Sequence, residues 1–244
     1  MGKIILEVCV DTIKGAIDVV QNGADRIELC DALGIGGTTP SAGLMNAASK
    51  LGIPIYSMIR PRGGDFIFNF EDMDVMMYDI DRARHYGNAG IVIGATHENG
   101  ELDYQKLKKL VDHSGDMGVT LHRAFDVTPD TSEALETAIE LGIDRILTSG
   151  QKETVLEGAL NIKSVIDQAD GRISIMPCTS INPRTVESLF KILSVSEIHS
   201  SCRTLVTSPY VKSAPSMAPG DDFSRNITDP VKVKALVEKL ATYN

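Results

Sequence analysis

The strictest constraint in this chain is an alternation. Short apolar runs at residues 4–10, 26–30, 53–59, 90–94, 119–126, 145–148, 173–177 and 197–201 each precede a segment whose apolar side chains recur at helical spacing. Those helical segments cover 12–22, a stretch ending near 51, 70–86, 102–111, 131–141, 153–168, 183–193 and 230–241. Met73, Met76 and Met77 fall on the core face of the third helix, where flexible Met side chains fill gaps. No two-residue hairpin turn joins consecutive strands, so neighbours pair in parallel through helical crossovers. Eight such units of roughly 30 residues predict an α/β fold, a single-domain (β/α)8 TIM barrel spanning residues 1–244. An internal echo supports the count: Asn22-Gly23-Ala24-Asp25-Arg26-Ile27 and Leu141-Gly142-Ile143-Asp144-Arg145-Ile146 share a helix end, a glycine, an Asp-Arg pair and a strand start. An open doubly wound sheet is the alternative. No GxGxxG turn follows the first strand, where the dinucleotide-binding version would carry it, and no nucleotide cofactor is indicated.

Charge narrows the partners. A formal net charge of −9 and a pI near 5.0 argue against a nucleic-acid or anionic-membrane surface. No apolar run approaches the roughly 20 residues that span a bilayer, and the first residues lead straight into a strand rather than a signal peptide. Cys9, Cys30, Cys178 and Cys202 form no CxxC pair, which fits a reducing cytoplasm without a disulfide framework. Residues 203–229 are rich in Ser, Pro and Gly with little periodicity, and are expected to form a long loop after the eighth strand, either a cover for the barrel mouth or a subunit contact, with surface disorder as the competing reading. A homo-oligomer is the expected assembly.

The polar residues gather at strand ends, where a barrel of this kind builds its ligand site. Ile59-Arg60-Pro61-Arg62-Gly63-Gly64-Asp65-Phe66 sets two arginines, two glycines and an aspartate directly after an apolar run. Arg60, Arg62 and Asp65 there read either as a cradle for a carboxylate or phosphate, or as an internally paired loop brace. Other strand ends add Glu7, Cys9, Glu28, Cys30, His122, Asp126, Thr148, Ser149, Cys178, His199 and Ser201. Alternation along a strand puts Glu7 with Cys9, Glu28 with Cys30, and His122 with Ala124 and Asp126 on the barrel side, if Val8, Leu29 and Leu121 face the helices. Glu7, Glu28, His122, Asp126 and His199 then form an acid-base set suited to isomerase, epimerase or lyase chemistry on a small anionic metabolite, with Arg60, Arg62, Asp65, Ser149 and Ser201 binding it. A buried ion-pair network that sets barrel geometry is the competing reading of the same residues. No lysine stands at a strand end in a Schiff-base position, and there is no HExxH, so an aldolase or a hydrolytic zinc site is not indicated.

Several motifs resemble the CutC family: Leu6-Glu7-Val8-Cys9, Gly23-Ala24-Asp25-Arg26-Ile27-Glu28-Leu29-Cys30, the Ile59 to Phe66 stretch, His122-Arg123-Ala124-Phe125-Asp126, Ile146-Leu147-Thr148-Ser149-Gly150-Gln151 and Glu197-Ile198-His199-Ser200-Ser201. The resemblance covers nearly the whole chain. It implies a cytoplasmic (β/α)8 barrel associated with copper homeostasis, with copper, as Cu(I), attributed to two cysteines that by motif are Cys9 and Cys30. Soft thiolates suit Cu(I), although buried cysteine also packs well as a small apolar residue. One departure stands out. The family usually carries a glycine-rich turn of the type Met-Ala/Pro-Gly-Ala-Gly after the seventh strand, where this chain has Met176-Pro177-Cys178-Thr179-Ser180.

Overall fold

Local signals start nearly every helix. In the computed structural model, which describes residues 2–207 and 224–243, α1 (Ile13–Gln21), α2 (Ala42–Ala48), α3 (Phe70–His85), α4 (Tyr104–Ser114), α5 (Thr131–Glu140), α7 (Pro183–Leu189) and α8 (Pro230–Leu240) are each preceded by a Ser, Thr, Asp or Asn whose side chain accepts a backbone N–H of the first turn. The exception is α6 (Ala159–Ala169), which starts after Gly158 with no side-chain cap. The periodicity placed that helix from 153, but it begins later because Gly158 lies against the Ser149-Gly150 backbone so closely that a Cβ there would meet Ser149 O.

The strands β1 (Ile5–Val10), β2 (Arg26–Leu29), β3 (Ile55–Met58), β4 (Gly90–Ile93), β5 (Gly118–Leu121), β6 (Arg145–Thr148), β7 (Ser174–Pro177) and β8 (Glu197–Ser200) form one parallel sheet in the order β7-β6-β5-β4-β3-β2-β1-β8. The sheet curls until β7 and β8 lie against each other, closing the expected barrel almost completely. Leu6, Val8, Leu29, Ile93, Leu121 and Ile198 pack outward in one cluster with helix residues such as Val19, Ile80 and Leu107. Two smaller clusters fill the interior: Cys30, Tyr56, Met58 and Val92, and then Leu147, Met176 and Cys178. The register sets Cys9 beside Glu28, and Glu7 between Arg26 on one side and His199 on the other.

Two expectations need correction. The fifth strand does not run to Asp126; it stops at Leu121, and residues Arg123–Val127 form a 3-10 turn capped by His122, whose Nδ1 accepts the Ala124 N–H at 3.0 Å. The alternation that would have grouped His122 with Asp126 therefore does not apply. The stretch 203–229 is not structureless at its ends. β9 (Arg203–Thr207) pairs antiparallel with β10 (Ser224–Thr228), from Arg203 opposite Thr228 to Thr207 opposite Ser224. The rest of that expected loop, 208–223, lies outside the described residues.

Candidate functional site

The barrel interior is built in levels, and the lowest is a closed ion network. Arg26 Nε donates to Glu7 Oε2 at 2.5 Å and its NH2 pairs with Glu197. Arg145 Nε reaches Glu197 Oε2 at 3.2 Å and its NH1 donates to Thr120 Oγ1 at 3.1 Å, while Ser174 donates to Glu197. Both guanidinium groups stack on the Tyr56 ring, at 5.1 and 4.7 Å. Burial alone would raise the Glu7 carboxyl, but the His199 hydrogen bond and the Arg26 charge hold it down to about 2.

His199 links this level to the next. Its Nδ1 is 2.8 Å from Glu7 Oε1, which fixes the ring and turns Nε2 upward to within 3.9 Å of Glu28 Oε2. There the ligand atoms of Cys9, Glu28 and His199 lie within 4.8 Å of one another, all three residues being buried. They form part of the floor of a cavity of about 590 Å³. Burial opposes the His199 imidazolium, yet the adjacent Cys9 and Glu28 side chains raise its pKa well above the usual value. Burial raises the Glu28 carboxyl, and Glu28 Oε1 is buried with no hydrogen-bond partner among the described residues. Cys30 is not part of this cluster. Its thiol donates to Glu28 Oε2 at 3.5 Å, and burial followed by the Glu28 charge pushes its pKa well up.

The cavity walls come from the strand ends above. His122 is 3% exposed and stacks against Phe66 at 4.7 Å; burial first, then the Arg60 charge, drives its pKa down to about 3. Because Nδ1 of the neutral ring accepts from Ala124, the proton is on Nε2, which is buried without a partner among the described residues. Arg60 also lines the cavity, but its NH1 donates to Ile35 O and Gly37 O and its NH2 to Gly64 O, at 3.1, 2.9 and 2.7 Å, leaving Nε unmatched among the described residues. Gly36 and Gly37, at φ of 91° and 86°, let the loop wrap that guanidinium. The turn that departs from the family pattern supplies Cys178, Thr179 and Ser180. Thr179 and Ser180 hold left-handed φ of 68° and 54° without being glycine, and burial pushes the Cys178 thiol up to about 12.

The sequence-selected residues therefore divide. Cys9, Glu28, Arg60, His122, His199 and Ser201 line the cavity, and Glu7 supports it from below. Arg62 does not face it: Arg62 pairs with Asp65 at 3.0 Å and Asp72 at 3.2 Å and donates to Ile67 O, so Arg62 and Asp65 brace the loop. Asp126 and Ser149 also lie outside the cavity lining. Asp126 accepts from Thr148 Oγ1 at 2.5 Å, Ser149 Oγ at 3.0 Å and Arg123 Nε at 2.7 Å, tying the 3-10 turn to the end of β6. Cavity residues that sequence reasoning passed over include Arg123, Thr179 and Arg203. Arg123 follows His122 directly; read as continuing strand it would point to the helices, and only the turn carries it to the mouth.

A model of the CutC family matches residues 4–204, so the match ends where β9 begins. A CutC family protein of Rhizobium meliloti (strain 1021) is 52% identical over 202 residues, covering 83% of this chain and 82% of its own. The copper homeostasis protein cutC homolog of Homo sapiens is 40% identical over 238 residues, 95% of this chain and 87% of the human one. Among solved structures, the CutC protein of Streptococcus agalactiae is similar at a TM-score of 0.78 and 30% identity, covering 81% of this chain and 98% of its own. The phosphoribosylanthranilate isomerase of Thermotoga maritima, at a TM-score of 0.59 and 12% identity over 98% of this chain and 99% of its own, shares the fold alone.

Proposed function

The chain belongs to the CutC family, and from that premise we propose that it takes part in copper homeostasis by binding copper, as Cu(I), at Cys9 and His199, with Glu28 beside them. The carrying observation is the convergence of these three buried donors on the floor of an open cavity. A thiolate and an imidazole are donors of the kind Cu(I) selects. Glu28 is a harder ligand, but its unmatched Oε1 is a polar atom that a cation there would satisfy. Glu7 fixes His199 through Nδ1 in the way carboxylates commonly orient metal-binding histidines. The expected pairing of Cys9 with Cys30 is replaced in this reading: Cys30 packs against Tyr56, Met58 and Val92, and its thiol is engaged by Glu28. A reducing cytoplasm suits such a site, since all four cysteines are free, and no helix among the described residues is long and apolar enough to cross a membrane.

The test is an anaerobic Cu(I) titration against a competing chelator. Wild type and Cys30→Ser should bind with similar affinity, while Cys9→Ser should lose at least about tenfold. Full affinity in Cys9→Ser, or a loss confined to Cys30→Ser, contradicts the assignment.

A further inference from the structure

Four unmatched polar atoms point to a second ligand in the same cavity. Glu28 Oε1, Arg60 Nε, His122 Nε2 and Thr179 Oγ1 are all buried without hydrogen-bond partners among the described residues, and all four residues line this cavity. A buried polar group left unpaired costs about 1–3 kcal/mol, so natural structures keep few of them. Copper at the floor would account for Glu28 alone. The other three belong to the walls, and their chemistry is complementary to oxygen: Arg60 Nε can only donate, His122 presents Nε2–H, and a threonine hydroxyl can do either. His122 stays uncharged through the physiological range, so it suits a carbonyl or hydroxyl oxygen rather than a counter-ion.

Charge at the mouth completes the pattern. Arg123 and Arg203 stand on the rim; Arg123 pairs through Nε with Asp126 at 2.7 Å and donates to Ser149 Oγ at 2.9 Å, whereas Arg203 has no ion-pair partner among the described residues. Leu147, Met58 and Ile181 supply apolar wall between the rim and the floor. Thr179 and Ser180 hold left-handed backbone in this wall, a strain that persists where a site requires it. Glu153 and Glu28 are the acidic residues of the lining.

We propose that the upper cavity binds a small organic oxyanion, a carboxylate or a phosphate monoester, with its charged group against Arg123 and Arg203 and an uncharged oxygen on His122 Nε2 and Arg60 Nε. This ligand is independent of the copper reading, because its contacts lie on the walls above Cys9 and His199.

Calorimetric titration of chelator-treated, metal-free protein with malate and with glycerol 3-phosphate tests it, since both probes carry a hydroxyl and they differ in the anionic group. At least one should bind saturably with Kd below about 1 mM, and the one that binds identifies the anion class. Arg203→Ala, on an exposed strand away from the core, should weaken that binding roughly tenfold, and His122→Phe, which keeps the ring contact with Phe66, should do the same. Absence of saturable binding by both probes at about 10 mM, or an affinity unchanged in Arg203→Ala, overturns the proposal. Neither result bears on Cu(I) affinity, so failure of one site does not imply failure of the other.

Discussion

The interior of the barrel places similar side chains on two levels and uses them in opposite ways. Below His199, Glu7, Glu197, Arg26 and Arg145 meet one another, Thr120, Ser174 and the Tyr56 ring, and every charge has a partner. Above it, Glu28, Arg60, His122 and Thr179 each leave one polar atom unmatched among the described residues. A buried carboxylate or arginine in a barrel is thus not a site by residue type. Satisfied, it is a plug that sets strand geometry; unsatisfied beside a cavity, it keeps a polar atom that a bound ligand would satisfy.

The sharpest way to break this contrast is to remove a member of the lower network. Arg26→Leu leaves Glu7 with His199 alone and Glu197 with Arg145 and Ser174, and should cost about 3 kcal/mol in urea denaturation, the lower end for a broken buried pair; a cost within the range of surface changes would show that the lower level is no plug. Gly90→Ala attacks the same level sterically, because a Cβ there falls on the Tyr56 ring beneath both arginines. It should cost about 1–3 kcal/mol, read as a lower Tm. The upper level is sharpened by pH. His122 titrates at about 3 in the fold and near 6.5 when unfolded, so the unfolded chain takes up the proton first as pH falls. Its contribution is complete above about 6.5 and is lost on acidification at up to about 1.4 kcal/mol per pH unit. Wild type minus His122→Phe, followed from pH 7 to pH 5, should show that slope, and parallel curves would remove His122 from the account. Arg62→Gln should change stability by less than about 1 kcal/mol and leave both ligands' affinities unaltered. Loss of anion binding in that variant would return the cradle to the 59–66 loop.

What could be read ahead of the structure follows the reach of each signal. Strand order and helix starts are local: alternation, Asp, Asn, Ser or Thr caps, and Pro183 and Pro230 at helix starts are visible within a few residues. Period-two alternation also served on β1 and β2, where it turned Glu7, Cys9 and Glu28 inward together. It failed after Leu121, because a capping histidine side chain ended the strand where polar residues looked like its continuation. The division of labour among the charges was out of reach for a different reason. Arg26 meets Glu197, and His199 meets Glu7, only once β8 closes onto β1. Arg62 was chosen by its neighbours in sequence, and those same neighbours, Asp65 and Asp72, hold it away from the cavity.

On the proposed reading, copper is held by Cys9, Glu28 and His199 rather than by a pair of thiols. X-ray absorption at the copper edge of the anaerobically loaded protein tests it most directly. One sulfur scatterer together with nitrogen or oxygen is expected, with that sulfur lost in Cys9→Ser. Two sulfur scatterers, one of them removed by Cys30→Ser, would contradict it.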